Sequence, residues 1–429
     1  MKKFLVLIIL LLTVSEANAL PSRYDLRELG RITPVKHQGI PGPCWSFAAL
    51  GAMESNRLTQ SPGKIPDLSE LQTAFYAYRD PDGKRNFTSH IKSGTLSLEG
   101  QVFIPIALMS RLSAPTDEKS LPYSTTLTDS QKKALSKKSP ESFKPSMRLR
   151  AAYYLSGNDT VNDTAKKSLI INHGAIVVSI YSDVDSYRTK GSHYTYFNNS
   201  HGKQTNHDVL LAGWDDDFPR SNFVPKPKRN GAWLVKNSWG TARGNEGGYF
   251  WMPYEQYMTG GTAFIAESFN RKMRHYGYDD LGFCRSVNYS QGANVFKVSG
   301  KFESLSEISF YTLNNNERYE AHVYLHGVNA PLSPVDGELA AGVKGEIEYA
   351  GYHTVNLPEP LKLKEGEYFS VVVKLSGGYF PVEAKIKNYS ENAEVNRGES
   401  YFSRDGRKWT DGVNIGCNAC VKAFSVSRI

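Results

Sequence analysis

The chain has 429 residues, 51 Lys and Arg against 43 Asp and Glu for a formal charge of +8, and 12% aromatic residues. A chain this long, aromatic and mixed in charge is not disordered, and its length predicts two or three domains with sizeable cores. Four cysteines are too few for a disulfide-stapled miniprotein, and no stretch couples dense Lys/Arg to a recognition motif, so no nucleic-acid partner is expected.

Lys2 and Lys3 precede the apolar run Phe4 to Leu12, and Ala17-Asn18-Ala19 follows as a small-residue cleavage site. That order makes residues 1–19 a secretory signal peptide, with a mature, exported chain beginning near Leu20. A transmembrane anchor needs about 20 apolar residues, and this run is shorter.

Apolar residues recur at helical spacing from Cys44 to Leu58, with Pro41, Gly42 and Pro43 just ahead, so Cys44 falls at a helix N-terminus. A second helix is expected from Ser69 to Tyr78, capped by Asp67 or Ser69. Residues 114–150, rich in Lys, Ser and Pro, read as a surface excursion. Strand patterns follow at Ala175–Ile180, Val209–Gly213 and Ala232–Val235. Beyond about Asn270 short alternating runs, such as Glu307–Tyr311, Ala321–Leu325 and Tyr368–Val373, predict a self-contained all-β sandwich. The expected division is therefore a first domain over 20–268 and a second over 285–429, α+β overall.

A thiol at a helix N-terminus feels the positive end of the macrodipole, which favours the thiolate. A thiolate nucleophile also needs a proton carrier, a group to orient it and a donor for the developing oxyanion. His207 at the mouth of a strand, Asn237 just after another, and Gln38 six residues before Cys44 supply candidates for each.

These residues carry a resemblance. Arg31–Gly39, Cys44-Trp45-Ser46-Phe47, His207 followed by an apolar strand and Gly213, and Asn237-Ser238-Trp239-Gly240 with Gly247–Phe250 downstream occur in the order of papain-family cysteine peptidases, over roughly residues 20–265. The resemblance implies a two-lobed papain-like fold, with one helical lobe and one β-barrel-like lobe. It implies Cys44 as nucleophile, His207 as general acid/base, Asn237 as imidazole orienter and Gln38 as oxyanion donor. Gly100 resembles a substrate-binding glycine, and Trp239 is placed beside it as a substrate-side residue that shields the Asn–His bond. Pro41-Gly42-Pro43-Cys44-Trp45 departs from the family's Cys-Gly-Ser-Cys-Trp, so the usual bracing disulfide is missing, and Asn206 stands where many relatives carry Asp. Leu20–Arg27 resembles the start of a mature enzyme, which leaves no room for a prodomain after residue 19.

Three further segments, Gly351–Leu357, Gly366–Val373 and Arg397–Phe402, resemble the lectin-like β-domain that follows such peptidases in some secreted microbial proteins. The expected function is a secreted endopeptidase acting on protein or peptide substrates, without metal or cofactor. The rival is an adhesion protein that binds a cell surface or carbohydrate through the β-domain, its peptidase fold vestigial. A bridge from Cys284 to Cys417 or Cys420 is expected, rather than a redox or zinc Cys-x-x-Cys site. His322, His326 and Asp215-Asp216-Asp217 read as solvated surface. Six Asn-x-Ser/Thr sequons (Asn86, Asn158, Asn162, Asn198, Asn288, Asn388) matter only in a host that glycosylates.

Overall fold

The computed structural model describes residues 20–39, 42–79, 100–113, 115–143, 145–155, 162–198, 200, 204–270 and 272–427. The expected signal peptide and the sequons at Asn86 and Asn158 lie outside the described residues.

The first unit carries the helices: α1 (Cys44–Gln60), α2 (Glu70–Tyr76), α3 (Phe103–Ser110), α4 (Asp129–Ser136) and α5 (Asp163–His173). Helix α1 is buried along nearly its whole length, from Trp45 to Leu58, which its run of Ala, Gly and Ser permits. A Cβ on Gly51 would come within 2.7 Å of Leu210, so the helix lies close against strand His207–Asp215. Ser69 caps α2 by accepting the Gln72 N–H. Within the lysine-rich excursion α4 is mostly exposed under a Thr128/Gln131 capping box, yet Leu135 and Phe143 reach the main core.

A single 13-stranded sheet runs through both halves of the chain. Its path begins with Met273–Tyr276, Val421–Ser427, Phe302–Thr312 and Ala350–Lys364, crosses to Met147–Tyr154, and continues through Met258–Ser268, Ile176–Ile180, His207–Asp215 and Ala232–Lys236. The crossing pairs Ala350–His353 with Tyr154–Ala151. Only glycine fits at 351, where a Cβ would sit 1.9 Å from the Ala152 carbonyl oxygen. A six-stranded sheet containing Glu317–Gly327, Tyr368–Leu375 and Gln291–Lys297 closes the second unit over Phe296, Ile308, Phe310, Val323, Phe369 and Val371, an all-β core.

The two units are joined by more than the sheet. Tyr311, Tyr352 and Cys420 sit in the same core as Met109 and Ala152, and the Arg111 guanidinium donates to the Asp280 carbonyl at 2.8 Å. Strand Met273–Tyr276, which falls between the expected limits of 268 and 285, pairs with Val421–Ser427 of the second unit.

Candidate active site

Cys44 begins α1, with no side-chain cap ahead of it, and its sulfur accepts the Asp208 backbone N–H at 3.5 Å. The nucleophile candidate thus lies against the first residues of strand His207–Asp215. His207 is 6% exposed. Its Nε2 meets Asn237 Oδ1 at 2.9 Å, and Trp239 stacks on the imidazole with ring centroids 4.9 Å apart. The Ser238 N–H also donates to Asn237 Oδ1, at 2.8 Å, which fixes that atom as the oxygen. His207 therefore carries its proton on Nε2 when neutral, and Nδ1 is the basic atom.

Burial pushes the Cys44 thiol up to about 12, with the negative charge of Asp208 adding to it. Burial likewise pushes His207 down to about 4, against the opposing Asn237 hydrogen bond. Taken singly both groups rest neutral, so desolvation outweighs the helix-dipole effect expected from the sequence.

Gln38 is held on three sides. Its N–H donates to Ser238 O at 2.8 Å, its carbonyl accepts the Tyr123 hydroxyl at 2.6 Å, and its side-chain oxygen accepts the Ser238 hydroxyl. Its Nε2 donates to Gly42 O at 3.3 Å, and Cys44 N donates to the same oxygen at 3.0 Å. The candidate oxyanion donor Gln38 and the Cys44 backbone N–H therefore already converge on one oxygen atom. Beyond them opens a recess of about 790 Å³ bordered by Gln38, Asn206, His207, Trp239 and Arg243. Gly100 packs flat against Trp45, whose indole would lie 2.3 Å from a Cβ there.

With this geometry in view, the comparisons are specific. The model for papain family cysteine proteases matches residues 20–75 and 100–268, and that for a lectin like domain matches 275–425. The chain belongs to the papain family of cysteine proteases. Its sequence is 28% identical to the probable cysteine protease RD19B of Arabidopsis thaliana over 232 residues, 54% of this chain and 57% of that protein. It is 28% identical to mouse procathepsin L over 234 residues, 53% of this chain and 59% of that one. The chain thus spans under two thirds of the length of these curated relatives. The cysteine protease and lectin-like domains of Cwp84, a surface layer associated protein of Clostridium difficile, superpose with a TM-score of 0.78 at 22% identity. That match covers 95% of this chain and 89% of the other, and shows the same two-part fold.

Several residues that shape the papain-family site here were not singled out from the sequence. Tyr123 comes from the excursion read as surface, and a lone aromatic among polar residues gave no sign of it. Ser238 was visible only as part of the Asn-Ser-Trp-Gly run. Asp208, directly after the histidine, is 6% exposed; its Oδ1 accepts the Ser179 hydroxyl and its Oδ2 has no partner among the described residues. Beneath α1 lies a buried ionic group: Lys36 pairs with Glu54, Asp67 and Glu70, while Lys236 donates to Thr33 Oγ1 at 3.1 Å. A small cavity of about 20 Å³, bordered by Glu54, Glu70, Lys236 and Asp208, has room for one water.

One expectation is overturned: all four cysteines are free, so Cys284 bridges neither Cys417 nor Cys420. Residues 417 and 420, three positions apart, enter different cores, Cys417 that of the β-domain and Cys420 that shared with the peptidase. Cys284 lies instead 3.5 Å from the Ser390 hydroxyl. Among the described residues no group of three or more His, Cys, Asp or Glu could hold a metal ion. No described helix is long and apolar enough to cross a membrane.

Proposed function

We propose that this chain is an exported cysteine endopeptidase that cleaves proteins or peptides through an acyl-thioester on Cys44. The observation that carries the reading is the His207 Nε2 to Asn237 Oδ1 hydrogen bond at 2.9 Å, which leaves Nδ1 as the atom free to take the thiol proton. Transfer of that proton creates a thiolate–imidazolium pair, in which mutual attraction offsets the desolvation that each charge suffers alone. The sulfur attacks the peptide carbonyl. The developing oxyanion takes the place of the Gly42 carbonyl oxygen between Gln38 Nε2 and Cys44 N. Imidazolium His207 then protonates the departing amine, and a water activated by the same Nδ1 hydrolyses the thioester. Trp239 keeps bulk water from the His–Asn bond. The apolar run and cleavage site within residues 1–19 support export.

The test is activity of the secreted chain on an unstructured protein substrate, with Cys44→Ala and His207→Ala alongside. Each variant should lose essentially all turnover, because nucleophile and base act as a unit. Full turnover by Cys44→Ala would end the reading.

A further inference from the structure

One aromatic ring of the β-domain lies against the peptidase. Tyr389 packs on a cluster formed by Trp45, Ala74, Ala77, Tyr78 and Ile104, all buried and all from the peptidase. The turn that carries it is firmly built. Ile386 O accepts the N–H groups of Tyr389 and Ser390, at 3.1 and 2.9 Å, and the buried Ser390 hydroxyl accepts the Ile386 N–H at 3.3 Å. Asn388, just before the ring, takes left-handed backbone at φ 64°, a conformation that asparagine tolerates. The Tyr389 hydroxyl donates to the Leu281 carbonyl at 3.2 Å, in the segment that joins the two units.

The same cluster adjoins the candidate nucleophile. Trp45 follows Cys44 directly and is 1% exposed, with Tyr78 edge-on at 6.4 Å. Gly100 lies on its indole with no room for a side chain. Three residues later α3 begins, its Ile104 N–H donating to Gln101 O at 3.0 Å and the Ile104 side chain entering the cluster. Phe103 meets Phe283 of the joining segment edge-on, with ring centroids 6.1 Å apart. Residues 100–104 are thus fixed among Trp45 and two rings, Tyr389 and Phe283, that come from beyond the matched peptidase residues. Close-packed interiors pass a displacement on rather than absorb it. A void at Tyr389 would therefore shift residues 100–104 against Trp45.

We propose that Tyr389 is a positioning residue of the peptidase, supplied by the β-domain. It backs the Trp45 cluster and so holds the Gly100 segment where the backbone of a peptide substrate meets it. The β-domain is on this account part of the machinery that binds substrate, through a ring that itself touches neither substrate nor Cys44. The inference rests on the peptidase reading above, with Gly100 as its substrate-binding glycine.

The experiment uses the full chain and its Tyr389→Ala and Tyr389→Phe variants, each normalised to titrated Cys44. Three rates are compared: cleavage of a fluorogenic peptide, alkylation of Cys44 by a peptidyl epoxide, and alkylation of Cys44 by iodoacetamide, which needs no peptide site. In Tyr389→Ala, KM should rise and epoxide alkylation should slow by roughly tenfold, while kcat and the iodoacetamide rate hold. Tyr389→Phe keeps the ring and loses only the hydroxyl bond, so it should recover most of the loss. Unchanged KM and epoxide rates in Tyr389→Ala overturn the proposal. So does an equal slowing of epoxide and iodoacetamide, or a loss of titratable Cys44 with all constants preserved, either of which marks a structural role alone. A wild-type chain that cleaves no peptide would remove the peptidase reading, and a selective loss of epoxide alkylation in Tyr389→Ala would still keep this one. Should Tyr389→Ala fail to fold, Tyr389→Leu, which fills more of the void but lacks the ring, should show the same split, and its absence refutes the proposal. If neither folds, the wild-type chain decides, because coupling between sites is reciprocal. The epoxide adduct on Cys44 should then slow amide exchange in the turn over residues 386–391, and unchanged exchange there refutes the proposal.

Discussion

Arg148 and Glu307 form a two-bonded ion pair, at 2.7 and 2.8 Å, across the junction of the peptidase and the β-domain. Their side chains are only 4% and 12% exposed. Glu307→Ala would strand a buried guanidinium, which typically costs about 3–5 kcal/mol. Glu267 still faces Arg148, so a loss near the low end, about 3 kcal/mol, is expected. Because the two units share a sheet, denaturation followed separately by tryptophan fluorescence, mostly from the peptidase, and by far-ultraviolet dichroism should shift together. Two separated transitions would refute the coupling.

The same junction bears on the β-domain by itself. Residues 285–429 lack strand Met273–Tyr276, leave Ala350–His353 paired on one edge only, with Phe302–Thr312, and expose Tyr311, Tyr352 and Cys420. Against the self-contained unit expected from its strand pattern, that fragment should be aggregated or unfolded when expressed alone. A monomeric fragment with a sharp thermal transition would contradict this.

In the proposed mechanism Asn237 orients the imidazole without reacting. Removing its carbonyl frees the ring to turn and to change tautomer. Asn237→Ala should therefore lower kcat by roughly a hundredfold, within the 10²–10⁴ range of positioned acid–base catalysis, and change KM little. A matching rise in KM with kcat preserved would mean that Asn237 binds substrate instead.

What the sequence revealed, and what it hid, follows a physical pattern. Cys44, His207, Asn237 and Gln38 could be picked out as candidates because each sits in a local run whose residue types the chemistry demands. The helix of Cys44 and the strands beginning near His207 and ending before Asn237 also announce themselves by periodicity. Asp208 was overlooked because an acid after a histidine at a strand mouth reads as solvated, and only the register with Ser179 buries it. The junction was invisible for the same reason: Arg148 and Glu307 are far apart in the chain, and their pairing depends on long-range strand order. The disulfide expectation paired Cys284 with Cys417 or Cys420 from the exported setting alone, and residue spacing carries no information on which side chains meet across the β-domain.

Tyr123 ties the excursion to the oxyanion loop through its hydroxyl on the Gln38 carbonyl. Tyr123→Phe leaves that carbonyl short of a partner, a loss of about 1–3 kcal/mol when buried. If Gln38 acts on the oxyanion as proposed, kcat should fall several-fold while KM holds. An unchanged kcat would confine Tyr123 to a structural role.

Glu383 supplies a test by pH. The residue is 1% exposed and accepts the Leu281 N–H and the Asn418 side chain. Burial pushes its carboxyl up to about 8. The folded state therefore holds a proton that the unfolded state, with an ordinary carboxyl near 4.3, gives up. Stability from this group is complete below about pH 4 and is lost as the pH rises through about 8. Tm should fall from pH 6 to pH 9, and Glu383→Gln should flatten that fall. An equally steep fall in the variant would assign it to other groups.

The pair at the centre sets the activity profile. With His207 pushed down to about 4 and Cys44 up to about 12, the pair holds one proton across the whole interval between those values. As the pH falls through about 4, His207 gains a second proton for the pair and can no longer accept the one on Cys44, so kcat/KM falls. For an uncharged substrate the acid limb should lie near 4, well below the ordinary histidine value near 6.5. Asp208 titrates inside the interval, its carboxyl pushed up to about 6 by burial against the Ser179 hydrogen bond. The groups around it are Cys44 on α1, His207 on its own strand, Ser179 and Thr259 on the neighbouring strands, and Glu54, Glu70, Lys36 and Lys236 around the small cavity. Protonation below about 6 removes the negative charge that helps to raise the Cys44 thiol. The kcat/KM of the wild-type chain should therefore show a step between about pH 7 and 5 that Asp208→Asn lacks. Paired pH profiles of the two proteins check this, and profiles of one shape from pH 5 to 8 would be evidence against a titrating carboxylate beside the nucleophile.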